Sequence, residues 1–168
     1  MDLSEVIKIL HIANVYMRGM ETVVDEEFDV LSAHEELEVR HQLRPISSSL
    51  IEYGNTEHPE QVLRLFRVHL LGELLMVRAM NVDQQQPEPG DIRIRLIAKY
   101  ASDYRVTKDG EIPQEALDEF ALKNAGFHVW PYWREYIQST LARMQLPPFT
   151  LPMYQVPKVH KSELSAEQ

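Results

Sequence analysis

Residues 91–107 constrain this chain more than any other stretch. Ile92, Ile94, Leu96, Ala98, Tyr100, Tyr104 and Val106 fall on one side of a two-residue period. Arg93, Arg95, Lys99, Asp103 and Arg105 fall on the other. Such alternation describes a long strand with one packed face and one wet face, as antiparallel sheets commonly have. A strand of this kind needs partners. Residues 62–80 fit one, with Val62, Phe66, Val68, Leu70, Leu74 and Met76 on a face. They also fit a helix through Leu63, Phe66, Leu70, Leu74 and Val77, although Gly72 would weaken that helix by about 1 kcal/mol relative to alanine. Periodicity does not decide between the two. The short polar loop from Gln84 to Gly90 does: two long segments so joined predict a hairpin, which favours the strand.

Upstream, residues 37–43 alternate and predict a half-exposed strand that Pro45 ends. Ser47-Ser48-Ser49 and Gly54-Asn55-Thr56 supply turn chemistry around it. The first residues read either as a short helix capped by Asp2 or Ser4 or as an extended lead-in. A strand follows over 11–24. Between these strands lies an acidic segment holding Asp25, Glu26, Glu27, Asp29, Glu35, Glu36 and Glu38, read as a solvated loop.

Downstream the pattern turns helical. Pro113 suits a first helical position, Leu117, Phe120 and Ala121 make a short apolar face, and Gly126 reads as its end. Pro131 then reads as opening a second helix. Along it Trp133, Tyr136, Ile137, Thr140, Leu141 and Met144 form one continuous apolar stripe. Pro147 and Pro148 end the helical region. Four strands followed by helices predict an α+β fold with helices on one side of an antiparallel sheet. The reading is one domain over residues 1–151 and a frayed, Pro-containing polar tail over 152–168.

Charge and chemistry narrow the function classes. Lys plus Arg total 17 against 26 for Asp plus Glu, a net charge of −9. That balance disfavours a nucleic-acid binder, which needs a basic footprint. The candidate basic face of Arg93, Arg95 and Lys99 reads better as a solvated sheet face paired with acids on neighbouring strands. The absence of cysteine excludes thiolate metal sites and cysteine catalysis. No basic-then-apolar leader opens the sequence and no apolar run approaches bilayer length, so a cytoplasmic protein without membrane insertion is expected. No P-loop, dinucleotide turn, zinc-protease helix or nucleophile elbow occurs, and no histidine pair has metal-ligand spacing. His34 beside Glu35 and Glu36 lacks a partner motif and reads as exposed. The expectation is no enzyme, no catalytic residue, no cofactor and no metal.

The most informative segment is aromatic. Trp130, Tyr132, Trp133 and Tyr136 cluster in a chain with 8% aromatic residues, and both tryptophans lie there. An aromatic cluster on an amphipathic helix favours an interface, since rings contribute much buried area at low entropic cost. The run Val129-Trp130-Pro131-Tyr132-Trp133-Arg134-Glu135-Tyr136-Ile137, then Arg143, then Leu146-Pro147-Pro148-Phe149-Thr150-Leu151, resembles the SecB export-chaperone family. It is closest in character to the SecB-like proteins of toxin–antitoxin operons. Leu37 to Leu43, Ser47-Ser48-Ser49, Val62-Leu63-Arg64-Leu65 and Leu71-Gly72-Glu73 agree more weakly but in the right order.

The resemblance implies a four-stranded antiparallel sheet, Greek-key-like, with a short and a longer amphipathic helix. It implies a homotetramer built as a dimer of dimers. It also implies an ATP-independent holdase that binds unfolded polypeptides in surface grooves, for export or as the dedicated chaperone of an antitoxin. Groove positions of the second strand correspond to Val39, His41 and Leu43, and His41 departs from the apolar pattern. The stripe of Trp133, Tyr136, Ile137, Thr140, Leu141 and Met144 would lie at the junction between dimers. The family's C-terminal helix is missing from the pattern. Its docking to the SecA motor uses sheet acids; around Met76 to Met80 this chain offers Arg78, with Glu21 and Glu73 as substitutes. A small-ligand α+β domain, with a sheet–helix pocket using His41 or His69, is the alternative of another class.

Overall fold

The computed structural model describes residues 1–29, 36–54, 62–78, 87–146 and 149–155. The lead-in resolves into a helix, α1 (Leu3–Ile9), capped by Asp2. The Asp2 carboxylate accepts from the Glu5 amide at 3.0 Å and the Glu5 carboxylate accepts from the Asp2 amide at 3.1 Å, a reciprocal capping box. Four strands follow: β1 (Leu10–Val24), β2 (Leu37–Gly54), β3 (Val62–Arg78) and β4 (Ile92–Val106). They form one antiparallel sheet in the order β1-β4-β3-β2. Strands β2, β3 and β4 are sequential neighbours and β1 closes beside β4, a Greek-key arrangement. β1 and β2, consecutive in sequence, are therefore the two edges of the sheet.

Pro45 does not end β2. It sits at a register shift between Pro45 and Ser47, and the three serines continue the strand. An edge strand at a bulge is where a sheet tolerates proline, because no neighbour on the open side needs its missing N–H. Residues 62–78 are strand, as the hairpin argument predicts.

One face of the sheet is dry. Phe66, Val68, Leu70 and Leu74 of β3 and Ile94, Leu96, Ala98, Tyr100 and Tyr104 of β4 are buried there. The other face is less wet than alternation predicts. Arg93 and Asp103 are buried because each has an ionic partner: Arg93 pairs with Asp25 at the start of the acidic segment, and Asp103 takes Arg67 at 2.7 Å and 2.9 Å. Arg95 donates to Glu73 at 2.8 Å, so the basic face is largely matched by neighbouring acids.

A single helical run covers the dry face. It comprises α2 (Gln114–Phe120), a π turn (Ala121–Ala125) and α3 (Gly126–Arg143). Gly126 does not end a helix and Pro131 does not begin one. Pro131 lies inside α3 on its exposed side. The wider π turn carries the buried face from Phe120 to Ala125, so that Leu117 and Phe120 upstream and Val129, Trp133 and Ile137 downstream all meet the same sheet. The helix ends before Pro147 in a Schellman motif. Gln145 adopts a left-handed φ of 57°, and the Leu146 and Gln145 amides donate to the Leu141 and Ala142 carbonyls.

The stripe on α3 belongs to this chain's own core. Trp133, Ile137 and Leu141 have no exposed surface and Tyr136 retains 6%. Trp133 meets Tyr100 of β4 edge-on and stacks on Tyr136. These side chains were expected at a junction between dimers; within this chain the sheet already removes Trp133, Tyr136, Ile137 and Leu141 from water. Thr140 and Met144 remain half-buried at the stripe's margin.

Candidate peptide-binding site

The edge strand β2 positions the expected groove residues. Val39, His41 and Leu43 pair with Met76, Leu74 and Gly72 of β3, so all three face the helix side of the sheet. Each is half-buried, because α3 packs over the sheet centre and only partly reaches β2. Trp130 of α3 closes the gap, its ring centroid 5.9 Å from His41 in an edge-on contact. Burial lowers the His41 pKa below the ordinary histidine value, which favours the neutral ring. The neutral ring brings no charge to the wall, although its two nitrogens still donate and accept hydrogen bonds. Among the described residues no strand pairs with the outer edge of β2, which so offers backbone N–H and C=O groups to an incoming extended chain.

The segment after the helix extends this site. Residues 149–155 run back along α3. Leu151 is buried at 1% exposure, and the Trp130 indole N–H donates to the Pro152 carbonyl at 3.1 Å. The Gln138 amide donates to the Thr150 hydroxyl at 3.2 Å. The Tyr154 ring lies 5.3 Å from Trp130 and 6.2 Å from Phe127, and burial raises its hydroxyl pKa. A largely apolar groove of about 490 Å³ adjoins it, lined by Trp130, Pro131, Gln138 and Met153 among others. The frayed-tail expectation is therefore corrected for Pro152, Met153 and Tyr154; residues 156–168 lie outside the described residues. Trp130 belonged to the aromatic cluster visible in the sequence. The part played by Tyr154 had no signal there, because a Pro-rich stretch reads as punctuation.

Other candidates separate. His69 pairs with Ala101 on the face away from the helix, so it cannot line a sheet–helix pocket with His41. Glu21 and Glu73 both pair with Ile97, one from each side, and share the outer face. Glu21 is exposed, whereas Glu73 accepts from Arg95 and from Gln42 at 2.7 Å. His34 lies outside the described residues. Among the described residues no group of three metal-ligating side chains occurs, and no helix is long and apolar enough to cross a membrane.

Strand β1 leaves a second apolar surface. Ile12, Met17, Met20 and Val24 lie on its helix-side face but are 38–70% exposed, because the helix does not extend over this edge. The Thr22 hydroxyl on the same face lies 3.4 Å from that of Tyr136 on the helix.

No protein-family model matches the chain, and no curated protein matches its sequence. Among solved structures, the fold is similar to that of the SecB-like chaperone Rv1957 of Mycobacterium tuberculosis, in complex with a ChAD peptide from the HigA1 antitoxin (Rv1956). The TM-score is 0.64 over 90% of this chain and 95% of that one, at 16% identity. At that identity the likeness establishes the fold, which is the SecB-like α+β fold that the aromatic helix and strand order predict.

Proposed function

We propose that this chain is an ATP-independent chaperone that holds non-native polypeptide along the β2 edge and the Trp130 groove. The observation that carries the reading is the half-exposed row of Val39, His41 and Leu43 beside Trp130 on a strand with an open edge. Apolar contact is non-directional and edge hydrogen bonds use only backbone, so together they hold many sequences. The SecB-like fold supports it. An antitoxin is a specific client within the same reading, favoured by the antitoxin peptide in the similar structure.

Self-association belongs to the proposal, through β1 rather than α3. A second copy packing on Ile12, Met17, Met20 and Val24 would cover apolar surface that this chain leaves to water. A dimer of dimers is the assembly in view. Of the two acids that could dock SecA, Glu73 is already held by Arg95 and Gln42, which leaves the exposed Glu21 alone and disfavours that partner.

The test is suppression of aggregation of a permanently unfolded client by the purified chain, with particle mass measured alongside. Capture by a particle several times 19.6 kDa is expected. Val39→Asp should weaken capture and leave mass unchanged, whereas Met20→Asp should lower mass. A monomer that lets the client aggregate sinks the proposal.

A further inference from the structure

Gly126 is an expensive residue for its position. It lies inside a continuous helical run, where alanine would be favoured, and it has an ordinary helical backbone with φ −59°. Neither a cap nor a left-handed turn explains it. Close approach does: a Cβ on Gly126 would stand 2.4 Å from the Tyr154 hydroxyl oxygen and 3.0 Å from its ring carbon. The glycine makes a notch in α3, and the Tyr154 ring fills it.

The rest of the seat follows in order along the helix. Gln138 meets Thr150, Trp130 meets Pro152 and Gly126 meets Tyr154, so the segment lies antiparallel to α3. What the seat reads is general. The Trp130 indole N–H takes a backbone carbonyl, which every peptide has. The notch takes an aromatic ring two residues later. Trp130 also touches His41, which makes the seat continuous with the β2 groove.

We infer that the Gly126–Trp130 seat is a peptide-binding subsite that the chain fills with its own residues 151–154, and that an extended client segment carrying an aromatic residue displaces them. The identity of the competitor rests on the chaperone reading; the seat does not. A tethered occupant is present at high effective concentration, so it lowers the apparent affinity of any free peptide until it is removed. Clients with aromatic residues would thereby be favoured over merely apolar ones, since only they regain the notch contact.

The full chain is titrated with the heptapeptide Phe-Thr-Leu-Pro-Met-Tyr-Gln, following Trp130 fluorescence against the constant signal of buried Trp133. Tyr154→Ala should bind the peptide about tenfold or more tightly than the unaltered chain, because the tethered competitor is gone. Adding Gly126→Ala should abolish that gain, and so should serine in place of the peptide's tyrosine. Equal affinity of Tyr154→Ala and the unaltered chain overturns the inference, as does binding that Gly126→Ala leaves intact. Amide exchange on the unaltered chain gives a measurement independent of any variant: protection of residues 150–154 should fall when an unfolded client is added. A chain that captures clients with that protection unchanged overturns the inference and leaves the chaperone reading standing. A chain that binds the heptapeptide but captures no client does the reverse.

Discussion

Gly72 of β3 lies directly beneath the Trp133 indole: a Cβ there would stand 2.8 Å from the ring carbon Cδ2. The sheet and α3 approach closely at this pair, and the contact helps to hold the helix over the sheet centre. Gly72→Ala should lower stability by about 1–3 kcal/mol in a urea titration, because a rigid ring cannot yield as a flexible chain end would. Trp133→Asp should abolish the native fold rather than split an assembly, since the charge would enter a fully buried site. A folded, dissociated Trp133→Asp chain would return this residue to an interface.

The end of α3 offers a gain. Gln145 holds a left-handed φ that costs a side-chain-bearing residue energy and costs glycine none. Gln145→Gly should raise stability by about 0.5–1 kcal/mol by relieving that backbone strain. Thermal unfolding checks it; an unchanged or lower midpoint would place the helix end elsewhere.

On the outer face, Asp103 is the better-buried member of its pair, with its side chain 5% exposed against 23% for Arg67. The carboxylate beside it raises the Arg67 pKa further above its usual value. Asp103→Ala should cost about 2–4 kcal/mol, less than a fully dry pair because Arg67 can still reach water. Arg67→Ala should cost at least as much, because it strands the more buried charge. Denaturation of both variants tests the order.

His41 and His128 both have their pKa values lowered by burial. The unfolded chain then binds protons at a higher pH than the folded one, so their contribution is intact above about pH 6.5 and is lost as pH falls through the folded values. Stability should therefore decline on acidification from pH 7. Client affinity should decline with it, because a charged imidazole would enter the groove wall beside Trp130. His41→Leu should remove the affinity step while leaving the part of the stability loss due to His128. An affinity step that survives His41→Leu assigns it to another group.

The strands were legible because a two-residue period is written directly into the chain: Ile92 to Val106 announces both its faces, and Val39, His41 and Leu43 necessarily share one. The helical region was less so. Gly126 and Pro131 carry breaker chemistry, yet one makes room for Tyr154 and the other faces solvent, and neither circumstance is local in sequence. The apolar stripe through Trp133 was legible as a stripe but not in its destination. Amphipathicity says that a face must be covered, and this chain's own sheet covers it as well as a second copy would. The Tyr154 seat was hidden for a related reason: its partners are a glycine and an indole more than twenty residues upstream.

Pro45 and the register shift beside it give the β2 edge a limit. A strand laid along residues 37–44 cannot continue its ladder unbroken past the proline. The edge can therefore lend hydrogen bonds to a passing chain over a short span, yet it makes a poor template for stacking one chain on the next into a fibril. The interruption that reads as a blemish in the strand also keeps an adhesive edge from becoming a seed.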